Sequence, residues 1–251
     1  MTLALGLIGF VIVGLSLGLL GGGGSILAVP VLVNVLAIPA SIAVPMALPV
    51  VGITAGVGAV ARWRRGQLRL GTVALFAVCA MGASYLAARL GVGIADRPRM
   101  LLFGTTMLGA AIAMWRRGSR TAAAEGAVAR PAYQVIPVAL IVGGLTGILG
   151  VGGGFLIVPA LAGVLALPMP EATATSLAVI ALSTASAGAG FVSKHVAVDL
   201  RLTVWVTLAA LLGMAIGLRL APRYSAASLA RAFAVVLGAL AVFTIGKELV
   251  A

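Results

Sequence analysis

Two apolar stretches with the same pattern decide the fold of this chain. The first is GLLGGGGSILAVPVL, residues 18–32, and the second is GILGVGGGFLIVPAL, residues 147–161. Each places a run of glycines before a short apolar segment that contains a proline, Pro30 or Pro159. Because glycine has no Cβ and adopts backbone conformations that end helices, each stretch predicts an interrupted helix followed by a short one.

The composition around these stretches is that of an integral membrane protein. Of the 251 residues, 62% are hydrophobic and only 9% are charged, whereas a soluble domain has about 25% charged residues. The apolar runs are continuous rather than alternating, so they predict membrane-spanning helices and not a β-barrel. The first partner of the chain is therefore the lipid bilayer, and the predicted fold class is an all-α polytopic membrane protein.

Ten apolar segments follow one another along the chain. In the first half they cover residues 3–20, 25–38, 42–61, 70–90 and 100–115. In the second half they cover residues 133–149, 155–167, 171–191, 202–220 and 229–245. A helix over residues 25–38 reaches only about 21 Å at 1.5 Å per residue. This is less than the hydrocarbon core of about 30 Å, so the short helices are predicted near the membrane midplane.

The two halves of the sequence repeat the same order of apolar segments and prolines. Pro30 and Pro159 lie 129 residues apart, and Pro39 and Pro168 have the same spacing. Such self-similarity predicts an internal duplication of five elements. We predict a first transmembrane repeat over residues 1–115, a cytoplasmic connector over 116–131 and a second transmembrane repeat over 132–251.

The distribution of Lys and Arg predicts opposite orientations for the two repeats. Placing residues 62–69 in the cytoplasm puts eleven cationic residues inside and six outside, and the opposite orientation reverses this ratio. Because each repeat has an odd number of elements, the second then enters the membrane from the other side, as in many secondary transporters. If a short element does not cross, the repeats are parallel instead. We expect a multi-pass protein of the bacterial inner membrane.

Few residues in the chain are suited to catalysis or metal binding. There is one cysteine, Cys79, and one histidine, His195, and the five acidic residues form no spaced pair. The net charge of +12 is scattered at the ends of the apolar segments, where it marks orientation and not nucleic-acid binding. The sequence therefore predicts no enzyme, no metal, no cofactor and no nucleic-acid partner.

The helix starts after the glycine runs predict a site for an anion. They direct free N–H groups and the positive end of the helix dipole at one place, and nearby hydroxyls add donors. The predicted substrate-binding residues are Gly22, Gly23, Gly24, Ser25, Gly152, Gly153, Gly154, Phe155, Thr175, Ser176, Thr54 and Ser183. Close packing of helices through glycine, with hydroxyls bonded to their own helix, stays open as an alternative. Pro30 and Pro159 are predicted to kink the short helices.

The two glycine stretches, with PEATATSLAV at residues 170–179, resemble the sulfite exporter TauE/SafE family of membrane permeases. The resemblance covers nearly the whole chain. It implies transport of small anions, mostly sulfur oxyanions and organosulfonates such as sulfite and sulfoacetate, without ATP or a cofactor. The first half departs from the pattern, with Met46 and Ala47 where the second half has Thr175 and Ser176.

Together these features predict a secondary transporter that works by alternating access, with the anion held between the two helix breaks. An anion channel and a carrier of another small organic anion, such as a carboxylate, are the alternatives. Proton coupling stays open, although no acidic residue or histidine stands at a predicted membrane centre. The oligomeric state is also open, with a homodimer as one candidate.

Overall fold

The computed structural model describes residues 2–90, 96–120, 135–149, 154–165, 167–192 and 199–250. Most of these residues are helical, and the helices follow in the order predicted. The first half contains α1 (Thr2–Leu20), α2 (Ser25–Pro30), α3 (Ala40–Trp63), α4 (Leu70–Leu90) and α5 (Asp96–Arg120). The second half contains α6 (Val135–Leu149), α7 (Gly154–Pro159), α8 (Met169–Val192), α9 (Leu200–Leu220) and α10 (Ala226–Val250).

The polytopic membrane fold predicted from the composition is confirmed. Four helical segments in the described residues are long and apolar enough to cross a membrane: Thr2–Leu20, Pro45–Trp63, Leu70–Ala87 and Leu200–Arg223. The helix predicted over residues 100–115 is longer at both ends, because α5 begins at Asp96 and continues to Arg120.

Counterpart elements of the two halves have matching lengths. Helices α3 and α8 both have 24 residues, and α4 and α9 both have 21. In each half the proline ends an α-helical segment of six residues and a five-residue π-helical turn follows, Val31–Val35 or Ala160–Val164. The predicted kinks at Pro30 and Pro159 therefore take the form of π-helical turns, a rare geometry that is frequent at functional sites.

Glycines hold α1 against α9 at backbone contact. A Cβ atom on Gly18 would lie 2.8 Å from the carbonyl oxygen of Met214, and one on Gly217 would lie 2.6 Å from the carbonyl oxygen of Leu15. Residue numbers rise together along both helices, so α1 and α9 are parallel. The equivalent pair from the opposite halves, α4 and α6, also packs closely, with Gly143 against Ala80.

Two counterpart pairs pack antiparallel across the middle of the molecule. Along α3 and α8, Gly52 approaches Thr184 and Gly58 approaches Leu177, so residue numbers rise on one helix as they fall on the other. Helices α5 and α10 are also antiparallel, since Gly104 meets Ile245 and Ala111 meets Gly238. Each half thus contributes one helix to every one of these four pairs.

The short helix folds back along α1. A Cβ atom on Gly24 would lie 2.7 Å from Leu17 Cγ, and one on Gly9 would lie 2.8 Å from Val31 Cγ1. Leu36, just past the π-helical turn, meets Gly6 near the start of α1. The segment therefore returns to the side of the molecule from which α1 began, and Gly24 lies beside Val13 and Leu17 of α1.

One end of the bundle is marked by arginines, and we call the surroundings of Arg62, Arg65 and Arg69 the arginine end. Arg62 Nη2 donates to the carbonyl oxygen of Gly18 at 2.8 Å, and Arg65 Nη1 donates to that of Leu218 at 3.3 Å. The C-terminal ends of α1, α3 and α9 therefore meet here. These contacts place cations beside the negative ends of two parallel helix dipoles, which favours the arrangement.

Candidate anion site

The first helix break is built by an unusual backbone conformation. Gly21 has a φ of 75°, a region that favours glycine, and its N–H still donates to the carbonyl oxygen of Leu17 at 2.9 Å. The next three glycines form a short 3₁₀ turn, Gly22–Gly24, that leads into α2 at Ser25. All three are buried, so the break lies inside the protein.

The first break touches the first residue of α7, which follows the second glycine run. The carbonyl oxygen of Gly154, the first residue of α7, occupies the place where a Cβ atom of Gly22 would stand. In return, a Cβ atom on Gly154 would lie 2.5 Å from the hydroxyl oxygen of Ser25. That hydroxyl donates to the carbonyl oxygen of Gly22 at 2.7 Å. The structure thus brings together Gly22, Ser25 and Gly154, which were predicted to form one site.

The first two turns of α8 pack against the first break. A Cβ atom on Gly21 would lie 2.7 Å from Ser176 Oγ and 3.0 Å from the Cα of Thr173. Ser176 donates to the carbonyl oxygen of Thr173 at 2.9 Å. Thr175, beside it, is fully buried, and its hydroxyl has no hydrogen-bond partner in the described part of the chain. Its hydrogen-bonding capacity is therefore unused among the described residues.

Two predicted hydroxyls bond within their own helices. Thr54 is fully buried and donates to the carbonyl oxygen of Val50 at 2.6 Å, and Ser183 donates to that of Ile180 at 3.1 Å. Gly152 and Gly153 lie outside the described residues, and so does His195. The backbone of Phe155 belongs to α7.

Sequence reasoning missed the burial of Arg62. It was interpreted with its neighbours as a mark of orientation alone, but only 4% of its surface is exposed. Besides the bond to Gly18, its Nη1 donates to Gln67 Oε1 at 3.2 Å. Its Nε has no partner among the described residues. A four-residue cluster with three arginines gives no signal for which one turns inward.

An ion pair joins the two halves at the arginine end. Arg69 Nε, just before α4, lies 2.5 Å from Glu171 Oε2 in the first turn of α8. Both side chains are partly exposed, and exposed pairs stabilise a fold by only about 0–1 kcal/mol. The pair nevertheless places the starts of α4 and α8 on the same side of the molecule.

The first helix break thus meets the start of α7 inside the described part of the bundle. The sequence matches the family described as Sulfite exporter TauE/SafE over residues 5–244. The chain belongs to this family. The resemblance predicted from the two glycine stretches is thereby confirmed, and the TauE/SafE match covers both halves of the chain.

Curated relatives agree with the family assignment. A "Probable membrane transporter protein" of Xylella fastidiosa (strain 9a5c) is 32% identical over 247 residues, covering 94% of this chain and 92% of the relative. A second protein of that name, from strain Temecula1 / ATCC 700964, is 30% identical over 242 residues with the same coverage. No solved structure matches the chain. This TauE/SafE protein is therefore a membrane transporter.

Proposed function

We propose that this TauE/SafE protein is a secondary transporter of small anions, with sulfur oxyanions and organosulfonates of the sulfite and sulfoacetate type as its substrates. The anion is held where the two glycine-broken helices meet, and it crosses the bacterial inner membrane by alternating access. The observation that carries this proposal is the contact of Gly22 with Gly154, because it joins the breaks of both halves inside the protein.

The two halves form an inverted repeat in this proposal. A two-fold axis in the membrane plane would make a helix antiparallel to its own counterpart. The antiparallel packing of α3 with α8 and of α5 with α10 supports such an axis. The reciprocal pairs α1–α9 and α4–α6 support it as well, because the axis exchanges one pair with the other. Inverted repeats with broken helices at their interface are typical of secondary transporters.

The helix breaks are suited to anions because their free backbone groups are donors. The first turn of a helix has N–H groups without intrahelical partners and a positive partial charge. The 3₁₀ turn that leads into α2 begins at the contact between Gly22 and Gly154, since the Ser25 N–H already donates to the Gly22 carbonyl oxygen. Helix α7 begins at the same contact, and the first two turns of α8 lie beside Gly21. The unpartnered hydroxyl of Thr175 adds a side-chain donor. Inside a bilayer these donors interact with an anion more strongly than they would in water.

Burial of the site favours alternating access over an open pore. Gly22, Gly23, Gly24, Thr175 and Ser176 are all buried. An anion therefore reaches these groups only when helices separate on one side. The antiparallel α3–α8 pair lies between the halves, and a rocking movement about it would open each side in turn.

The proposal is tested by flux into proteoliposomes that contain the purified protein. Sulfite, sulfoacetate, sulfate and lactate are each measured with and without a pH gradient. We expect saturable uptake and counterflow for a sulfur oxyanion or organosulfonate, and dependence on the gradient would indicate coupling to protons. Saturable lactate uptake alone would replace the substrate class with carboxylates. Flux that does not saturate and lacks counterflow would replace the carrier with a channel.

A matched pair of variants connects this flux to the helix breaks. Gly22→Ala places a methyl group against the carbonyl oxygen of Gly154, whereas Gly82→Ala places one in open space on α4. We expect the first variant to lose most of its flux and the second to keep it. Equal flux in both variants would overturn the placement of the site, although not the transport itself.

A further inference from the structure

We infer that the C-terminal ends of α3 and α9, at the arginine end, form a binding surface for the head group of an anionic phospholipid. Four exposed arginines provide its positive charge: Arg64, Arg65, Arg219 and Arg223. The inference goes beyond the proposed transport, because it concerns a lipid that the chain binds and does not depend on which solute crosses the membrane.

Helices α3 and α9 pack side by side and run in the same direction. A Cβ atom on Gly58 would lie 2.7 Å from Met214 Cε, and further along the pair Arg65 Nη1 donates to the carbonyl oxygen of Leu218 at 3.3 Å. Residue numbers thus rise together on both helices, and both helices finish at the arginine end. Since α3 belongs to the first half and α9 to the second, the surface lies on a contact between the halves.

An exposed apolar stripe on each helix leads to an arginine. The stripe of α3 is formed by Ile53, Val57 and Val60, and that of α9 by Leu208, Leu212 and Ile216. Arg64 and Arg219 continue the two stripes at the spacing of three or four residues that keeps side chains on one face of a helix. Both helices are long and apolar enough to span the membrane, so the stripes face lipid and the two arginines lie near the membrane surface.

The two stripes face the same side of the helix pair. At about 100° per residue, each stripe lies about 120° around its helix from the line that joins the two axes, and the two rotations have opposite signs. On parallel helices such rotations lead to the same side. Helices α8 and α1 occupy the other side, since α8 meets α3 at Gly52 and α1 meets α9 at Gly213. Arg64 and Arg219 therefore border one lipid-facing surface, with Arg65 between them.

The positive charge of this surface is not balanced by carboxylates. None of the four arginines forms an ion pair with a carboxylate in the described part of the chain, and Glu171, which lies at this end, is paired with Arg69. Asp199 lies at the opposite end of α9, where its side chain accepts from the Leu202 N–H. Because like charges held close together repel one another, a negatively charged group from outside the chain would stabilise this end.

The surroundings of the arginines favour a phospholipid over a soluble anion. Trp63 and Tyr224 are each more than half exposed and stand next to Arg64 and Arg223 in the chain. Exposed Trp and Tyr of this kind are typical of the level of the lipid head groups. The arginines thus lie at head-group level beyond two apolar stripes, which matches the order of phosphate and acyl chains in a phospholipid. Clusters of Lys and Arg beside membrane spans attract anionic lipids, and guanidinium binds phosphate oxygens with two parallel hydrogen bonds.

The opposite end of α9 provides a contrast within the same helix. Arg201 and Trp205 are both exposed there, one turn apart, so this end also has an arginine and an aromatic side chain. Arg201 is, however, only two positions from the carboxylate of Asp199, which reduces the local positive charge. We therefore expect a preference for anionic lipid at the arginine end and not around Arg201.

The test is lipid binding by the purified protein in a neutral detergent, with phosphatidylglycerol, cardiolipin and phosphatidylcholine as probes. Each lipid is titrated while the thermal midpoint is recorded, because a ligand that binds the folded state raises it. We expect a saturable rise with the two anionic lipids and a much smaller one with phosphatidylcholine. Glycerol phosphate, which has the phosphate without acyl chains, should have little effect. An equal rise with glycerol phosphate would overturn the lipid as the ligand.

A matched pair of variants removes the same charge from the two ends of α9. One cation near an anionic lipid surface changes binding about fivefold, so Arg219→Gln should raise the apparent dissociation constant of phosphatidylglycerol by about this factor, and Arg201→Gln by less than about twofold. Adding Arg64→Gln to Arg219→Gln should bring the loss to about 25-fold. Replacing both arginines with lysine keeps the charge and should preserve most of the binding.

A second measurement leaves the arginines in place and uses tryptophan fluorescence. Of the three tryptophans, Trp115→Phe with Trp205→Phe leaves Trp63 alone, and Trp63→Phe with Trp115→Phe leaves Trp205 alone. Both proteins are placed in phosphatidylcholine vesicles that contain a small fraction of one lipid brominated on its acyl chains, which quenches nearby tryptophans. Brominated phosphatidylglycerol should quench Trp63 more than brominated phosphatidylcholine does, and the two should quench Trp205 equally. Equal quenching of Trp63 by the two lipids would contradict the inference.

The outcomes separate this inference from the proposed transport. Equal binding of all three lipids by the wild-type protein would overturn the surface, and so would equal losses in Arg219→Gln and Arg201→Gln. Neither result bears on the transported solute, because no substrate is present in these measurements. Losses confined to Arg64 and Arg219, together with preferential quenching of Trp63, would support the surface whether or not a sulfur oxyanion is transported.

Discussion

The carbonyl oxygen of Gly154 stands where the Cβ atom of Gly22 would have to be. These residues come from different halves of the chain, 132 positions apart in sequence, so their contact exists only when the halves are assembled. No residue other than glycine fits at position 22 without moving the backbone of α7. The glycine run is thus required for assembly as well as for the shape of the helix break.

Gly22→Ala is therefore predicted to destabilise the protein. The added methyl group meets backbone, which cannot rotate away, and overpacking of this kind costs about 1–3 kcal/mol. Gly82→Ala is the control, because its Cβ atom would have no neighbour within 4 Å. Thermal unfolding in detergent should show a lower midpoint for the first variant and an unchanged or higher one for the second. An unchanged midpoint for Gly22→Ala would mean that the two breaks are not in contact.

A second prediction concerns the α1–α9 pair. A Cβ atom on Gly213 would lie 2.8 Å from the backbone nitrogen of Leu15, so Gly213→Val should force the two helices apart. In a membrane, helices gain little from hydrophobic burial against each other and depend on such close packing. We expect little folded protein by size-exclusion chromatography. Gly109→Val on α5 has open space around it and should keep a normal elution profile, and similar behaviour of the two variants would contradict this packing.

Much of this fold could be predicted from composition and repetition alone. The apolar run of α4 was predicted with the bounds that the structure gives, Leu70–Leu90. The backbone geometry around the prolines was harder to predict, because a missing N–H indicates a disturbed helix but not which hydrogen-bonding pattern replaces the regular one. After Pro30 this pattern is a π-helical turn, in which the Leu36 N–H donates to the Val31 carbonyl oxygen at 3.2 Å. The same turn follows Pro159.

The candidate site was less predictable, since it depends on contacts between helices. Ser25 and Thr175 were both expected to bind the anion, yet the Ser25 hydroxyl bonds to Gly22 and the Thr175 hydroxyl has no partner in the described part of the chain. Which hydroxyl donates to its own helix depends on its rotamer, which the sequence does not give. The inward position of Arg62 depends on a contact between helices, its hydrogen bond to Gly18 at the end of α1.

The opposite orientation of the two repeats is a third prediction, and it can be tested with single cysteines. In a Cys79→Ala background, Arg64→Cys precedes α4 and Arg201→Cys lies in the first turn of its counterpart α9. If the repeats are inverted, a membrane-impermeant maleimide should label these two cysteines from opposite sides. Tyr224→Cys, beyond the other end of α9, should be labelled from the same side as Arg64→Cys. Labelling of positions 64 and 201 from one side would mean that the repeats are parallel.

The last prediction separates stability from ligand binding at Thr175. Valine has nearly the shape of threonine, so Thr175→Val removes the unpartnered hydroxyl and leaves the packing in place. Relief of an unsatisfied buried group should raise the free energy of unfolding without ligand by about 1 kcal/mol. The same change should weaken anion binding, a pattern expected where a protein gives up stability for function.

Thr184→Val is the matched control for this measurement. Its hydroxyl already donates to the carbonyl oxygen of Ile180 at 2.7 Å. Removing it therefore relieves no unsatisfied buried group, and the thermal midpoint should not rise. Both midpoints are measured in detergent without added anions. A midpoint of Thr175→Val that falls below the wild-type value would show that this hydroxyl has a stabilising partner in the protein. Thr175 would then no longer supply a free donor to the proposed anion site.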